Sequence, residues 1–309
     1  MPSLASDFAL SFQGAFQAAA ALAPFKEVEL FRTMIKAFGS LKRKFYVEEF
    51  HGFKRQVYFD TSHGWMRPRA RCELCDVLLI TYSTTAGFEV RMTLLQAKLS
   101  RQTHVTCSSA YSGKVEPQTF EGNFEQWNLL CARPTLIPTS VFVPPPTLLA
   151  SAVLPSVGTF GVFHRNNYGK VDLFYTTADS LNAAPTPKGP NGRYGKLATT
   201  AGAPAARFVS GWGEATYCPS TLEFALALYQ LQIGTPVLSE VPGLPQVEYL
   251  PQLDWVRSVL ASHLTTNGNN SPVARGLLLD LGNARPLPDD AYLPSVVVLR
   301  GERRDIYVP

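Results

Sequence analysis

Residues 72–99 constrain the fold more than any other part of the chain, because their apolar pattern has the period of a pair of strands. Val77-Leu-Leu-Ile80 is a strongly apolar run, and Thr84-Thr-Ala-Gly87 follows it as a natural turn. Residues 88–99 then alternate, with Met92, Leu94, Gln96 and Lys98 on one face and Thr93, Leu95, Ala97 and Leu99 on the other. The two runs predict an antiparallel hairpin at the heart of a sheet.

Helices are predicted before and after it. Phe8, Phe12, Phe16 and Ala19 recur at helical spacing over residues 6–22. Pro24 restarts the chain in a position suited to the first turn of a second helix, over 25–38, which Gly39 caps. The apolar stripe of that helix is Phe31, Met34, Ile35 and Phe38, and counting back four from Phe31 places Glu27 on the same face. A carboxylate there is costly unless something pairs with it. Glu29 points away. A strand is expected over 55–61, and residues 72–82 read as one strand. Residues 118–132 read as a helix ending before Pro134. A rigid, proline-rich crossing spans 134–155, followed by short strands at 159–164 and 170–176. Residues 181–206, rich in Gly, Ala, Pro, Thr and Asn, read as a mobile loop or a boundary. Helices near 220–233 and 253–263 and a strand at 295–299 complete an α/β protein with a mixed central sheet flanked by helices. The division expected is 1–180 and 181–309, the latter a region of uncertain α+β type.

Charge is unevenly placed. Residues 1–150 hold 16 Lys/Arg against 12 Asp/Glu, whereas 151–309 hold 12 of each, so the first half carries the whole net +4. Lys42, Arg43, Lys44, Lys54, Arg55, Arg67, Arg69 and Arg71 crowd one stretch opposed only by Glu48, Glu49 and Asp60. A local excess of this kind fits a phosphate-facing surface, and Lys42, Arg43, Lys44, Arg67, Arg69 and Arg71 are the candidate nucleic-acid contacts. No apolar run approaches the roughly 18–20 residues that span a bilayer, and the N-terminus lacks a basic leader. Five cysteines in a chain with no export signal read as reduced thiols, hence a cytoplasmic protein with no membrane partner. Cys72-x-x-Cys75 lacks the second pair that a zinc site needs, and strand alternation puts its thiols on opposite faces.

The order is thus helix, three strands and helix, with an acid on the second strand and a polar-x-Lys triplet on the third. The segments are Cys72-Glu-Leu-Cys-Asp76-Val-Leu-Leu-Ile and Thr93-Leu-Leu-Gln96-Ala97-Lys98. They resemble the PD-(D/E)xK phosphodiesterase superfamily of restriction-endonuclease-like enzymes, nearest its Mrr-like branch, in which Gln replaces the central acid. The resemblance covers roughly residues 25–135 and reaches about 176 if the two short strands complete the sheet.

Elementary chemistry supports the same reading. Hydrolysing a phosphodiester at neutral pH needs charge neutralisation and an activated water, which Mg²⁺ supplies. Mg²⁺ takes hard oxygen ligands and only one or two protein carboxylates, and Mn²⁺ is the expected substitute. Asp76 offers a carboxylate, Gln96 an amide oxygen and Ala97 its backbone carbonyl, while Lys98 lies on the face of Gln96 to orient the water or stabilise the phosphorane. Glu27 matches the helix-borne Glu of the family as a further ligand. The resemblance implies a restriction endonuclease-like core cutting DNA in bacterial restriction or antiphage defence, as a homo-oligomer and under a regulatory partner or activating ligand. Gln96 removes one negative charge, which leaves a second reading open: a catalytically inactive nucleic-acid-binding or scaffold subunit.

Overall fold

In the computed structural model, residues 3–41, 45–48, 55–64, 66–104, 113–183, 193–266, 271–282, 286–288 and 291–303 are described. Helices α1 (Leu4–Ala20) and α2 (Glu27–Ser40) come first, followed by strand β1 (Phe45–Glu48) and the hairpin β2 (Gln56–Asp60) and β3 (Arg69–Glu73). Then come β4 (Val77–Ser83), β5 (Glu89–His104), β6 (Thr119–Asn123), α3 (Phe124–Ala132), β7 (Gly158–Asn166) and β8 (Val171–Thr177). Short strands β9 (Leu181–Ala183), β10 (Tyr194–Thr199), β11 (Ala206–Val209), β12 (Trp212–Ala215) and β13 (Tyr217–Cys218) lead to α4 (Thr221–Tyr229). The chain ends with β14 (Thr235–Ser239), β15 (Val247–Glu248), α5 (Leu250–Thr266), α6 (Pro272–Leu281) and β16 (Val296–Arg300).

The central sheet is mixed and curled, with the order β1-β16-β4-β5-β7-β8-β13. β4 and β5 form the expected antiparallel hairpin, with Val77 opposite Leu95 and Ser83 opposite Glu89. β7 lies parallel to β5 from Leu94 onward, after the chain has crossed over through α3, and β8 returns antiparallel, so the two short strands do complete the sheet. β14 takes the same edge of β5 over its first few residues. β16 inserts between β1 and β4, and β10 pairs with β6, so strands from both sides of residue 180 share the architecture.

Alternation decides what each face meets. Val77, Leu79, Leu95, Ala97, Val297 and Leu299 turn toward α1, α2 and α4, whose Phe12, Phe16, Met34, Phe38 and Leu228 are buried with them. Leu78, Ile80, Met92, Leu94, Val296 and Val298 turn the other way, onto Trp127, Leu129, Val256, Leu260 and Leu277 of α3, α5 and α6. A run such as Val77-Leu-Leu-Ile80, apolar on both faces, is therefore covered on both. Gly158 marks the tightest part of the crossover: a Cβ there would lie 2.7 Å from the Leu130 Cβ of α3.

Several expectations are corrected. The strand predicted over 72–82 is two strands with a break between Glu73 and Val77, because β3 leaves the main sheet to pair with β2. The helix predicted over 118–132 begins only at Phe124. Gly122 and its neighbours form β6, and the Asn123 side chain caps the helix by accepting from the Glu125 amide at 2.8 Å. The second helix begins at Glu27, so Pro24 stands before it rather than in its first turn. Within 181–206, β9 and β10 are regular strands of a small sheet with β6. Among the described residues no helix is long and apolar enough to cross a membrane.

α1 and α2 are clamped together by Phe12 and Phe38, both fully buried, with ring centroids 4.3 Å apart. Phe38→Ala is expected to cost about 3–5 kcal/mol in urea unfolding, the usual loss for a truncated core aromatic. A loss below 1 kcal/mol would show that α2 is not held by this contact.

Candidate active site

The β4–β5 ladder stops at Val77 and Leu95, and the site is built at that stop. The Asp76 amide still donates to the Leu95 carbonyl at 3.0 Å. Its carboxylate then crosses to accept the Ala97 amide at 2.6 Å, taking the place that a continuing strand would fill. A strand residue presents its N–H and C=O to the same edge, so the Ala97 carbonyl also lies on the Asp76 side.

Gln96 and Lys98 share the opposite set of positions and are both buried. The Gln96 Nε2 donates to the Glu73 carbonyl at 3.3 Å, which fixes the amide orientation, since only the nitrogen can donate there. Its Oε1 is left buried with no hydrogen-bond partner among the described residues. An orphaned acceptor of this kind costs about 1–3 kcal/mol. Lys98 Nζ reaches Glu27 Oε1 at 3.6 Å. Glu27 is not on the buried stripe of α2: its side chain is 42% exposed. The inward positions are Leu30, Met34, Ile35 and Phe38, with Phe31 only half-buried, so Glu27 sits at the rim where Lys98 can meet it. Glu29 pairs at the surface with Arg32.

Two further charges belong to the site. Burial, and then the negative charge of Asp76, push the Glu73 carboxyl up to about 7, against the pull of Arg55 and Lys98. Burial also raises Asp76, opposed by Lys98, the Ala97 amide and Arg55. On an unbroken strand Glu73 and Asp76, three residues apart, would face opposite sides. The break before β4 brings them together. Arg55 is buried and donates to the Ser295 hydroxyl at 3.3 Å, so it is an internal cation and not part of a phosphate-facing surface. A sequence signal for this existed: Arg55, just before β2, keeps the alternation of Val57 and Phe59, and all three are buried.

The other candidate residues divide. Lys42, Arg43 and Lys44 lie outside the described residues. Arg67 is committed to Glu125, donating from Nε at 2.7 Å and from Nη2 at 2.8 Å. Arg69 and Arg71 are exposed and hold their guanidinium groups 5.5 and 5.1 Å from the Tyr58 ring. Cys72 and Cys75 are free thiols in the same core, not on opposite faces, because the break resets the alternation; burial raises both thiols. His63, on the loop between β2 and β3, stacks on Trp127.

Among the described residues no three His, Cys, Asp or Glu side chains gather as a metal-binding group. The oxygens offered in this part of the structure are the Asp76 and Glu73 carboxylates, the Gln96 Oε1 and the Ala97 carbonyl. They are hard oxygens with few charges, which suits Mg²⁺ with its retained waters and does not suit zinc. The orphaned Gln96 oxygen is the feature that fits such an ion or one of its waters. No protein-family model, curated protein or solved structure matches the chain.

Glu73 gives this site a pH signature. Its folded pKa of about 7 lies above the unfolded value, so the folded state binds the proton more tightly. Glu73 therefore costs nothing below its unfolded pKa, and the cost grows until the pH passes 7. Glu73→Gln is expected to gain stability relative to wild type by on the order of 2 kcal/mol between pH 5 and pH 8. A stability difference that does not vary with pH, in urea unfolding at each value, would contradict this.

Proposed function

We propose that the chain is a Mg²⁺-dependent DNA endonuclease built on a PD-(D/E)xK-type core. The observation that carries this is the buried, unsatisfied Gln96 oxygen beside the Asp76–Ala97 bond, with Lys98 two residues along the same strand. Part of the order of elements supports it as well: α2, the β4–β5 hairpin and α3 come in the expected sequence, although the first of the three expected strands, β2, pairs with β3 outside the main sheet. Bacterial restriction or defence, homo-oligomerisation and control by an activating ligand follow from the resemblance and are part of the proposal.

Asp76, Gln96 and the Ala97 carbonyl would hold the ion, with Glu73 as the second carboxylate. Bound there, Mg²⁺ supplies charge neutralisation and an acidified water. Lys98, whose ammonium lies 3.6 Å from Glu27, would orient the attacking water and offset the charge that builds on the phosphate. Glu27, tied to Lys98, positions that ammonium at the rim.

Plasmid cleavage in Mg²⁺ or Mn²⁺ tests this directly. Asp76→Ala and Lys98→Ala should each lower the rate by about 100-fold or more while keeping a native circular dichroism spectrum. Gln96→Glu, which adds a carboxylate at the ion, should tighten Mn²⁺ binding. Failure of the wild type to cut, together with Mn²⁺ binding that Asp76→Ala leaves unchanged, would replace the enzyme with a non-catalytic binding subunit.

A further inference from the structure

A cleft of about 1200 Å³ opens beside Glu27, at the end of β5 beyond Lys98. Its walls are residues 25–27 at the start of α2, residues 99–102 of β5, residues 119–121 of β6, Arg165 of β7 and Lys196 of β10. Four cations from four elements line it: Lys26, Arg101, Arg165 and Lys196, all exposed. The acids present are Glu27, already facing Lys98, and Glu121, which stands opposite Lys196 in the β6–β10 register.

Several cations elsewhere are paired with acids, although others among the described residues, Arg69 and Arg71 for instance, are not. Arg67 is held by Glu125, Arg207 by Glu214 and Asp179, and Arg303 by Glu89. Among the described residues, none of the four cleft cations is held by a carboxylate within ion-pair distance. Arg165 is fixed differently: it donates to the Gly169 carbonyl at 2.9 Å and lies 4.5 Å from the centre of the Phe25 ring. A guanidinium so flattened leaves its outer face as a stacking platform.

We propose that this cleft seats the backbone of a single DNA strand entering the candidate cutting site, with phosphates at Lys26, Arg101 and Lys196 and a base against Arg165. The nature of the anion rests on the nuclease reading, whereas its location rests on the cleft itself. Unmatched cations spaced along a trough suit a chain of phosphates. A base that stacks on the Arg165 guanidinium has to be unpaired, which favours a single strand over a duplex.

The test is fluorescence anisotropy of the full chain carrying Lys98→Ala, in EDTA so that nothing is cut. The probes are a labelled oligo(dT) of about twenty nucleotides, a duplex of equal length, and oligo(rU). Adding Arg101→Glu with Lys196→Glu should weaken oligo(dT) binding at least tenfold and make the salt dependence shallower by about 1.4 in log–log slope, about 0.7 for each lost contact. The milder pair Arg101→Gln with Lys196→Gln, which guards against misfolding, should give a smaller loss in the same direction. Affinity unchanged in both pairs, or tighter binding of the duplex or of RNA, would overturn the proposal. The two readings fail separately. Cleft-dependent binding without plasmid cleavage by wild type sinks the nuclease and keeps the cleft. Cleavage with oligo(dT) affinity unchanged in both pairs does the reverse.

Discussion

The carboxylate of Asp76 on the amide of Ala97 is the contact around which the rest of the site is arranged. At that point β4 has ended and β5 continues, so one edge of β5 loses its backbone partner. A bare strand edge inside a protein leaves amides unsatisfied. Here a side chain closes the gap, and in doing so it holds an acid against the Ala97 amide. Moving Asp76 by one residue would put either a strand partner or nothing at that amide.

What fixes the two strands is the covering of the sheet on both faces. The α1–α2 pair on one side and α3, α5 and α6 on the other bury the alternate positions of β4, β5 and β16. With both faces filled, register has little freedom, since a slip of one residue would exchange Gln96 and Lys98 for Leu95 and Ala97. The polar residues lie just past the last apolar pair of β5, which is why two buried polar side chains are tolerated there. β16, supplied by the last residues of the chain, packs beside β4 and makes the first half of the sheet depend on the end of the sequence.

Much of this was legible in the sequence where local pattern decides the outcome. The β4–β5 hairpin, the two first helices, β7, β8 and β16 all follow from periodicity, and so does the shared face of Gln96 and Lys98. The missed features depend on partners distant in sequence. The break at residues 74–76 comes from β3 pairing with β2 instead of extending β4, and no local propensity announces it. β6 occupies what looked like the first turns of a helix because β10, some seventy residues later, pairs with it. Glu73 was passed over because alternation along an unbroken strand would turn it away from Asp76. Composition counts charges without regard to direction: Arg55 is buried and Arg67 is held by the buried Glu125, whereas Arg69 and Arg71 are exposed.

The location of Glu73 bears on the question that Gln96 raised. A glutamine where a carboxylate is expected leaves the ion one negative charge short. Glu73 ends β3, outside the main sheet, and the Gln96 side-chain amide donates to its backbone carbonyl, which ties the two residues together. Burial already raises both Glu73, to about 7, and Asp76, against the pull of Arg55 and Lys98. A third buried carboxylate at position 96 would add to that cost in the absence of a cation. On the proposed reading, the neutral glutamine is thus a way to keep an empty site stable while still offering an oxygen. On that same reading Glu73, at the end of β3, would supply the second acid.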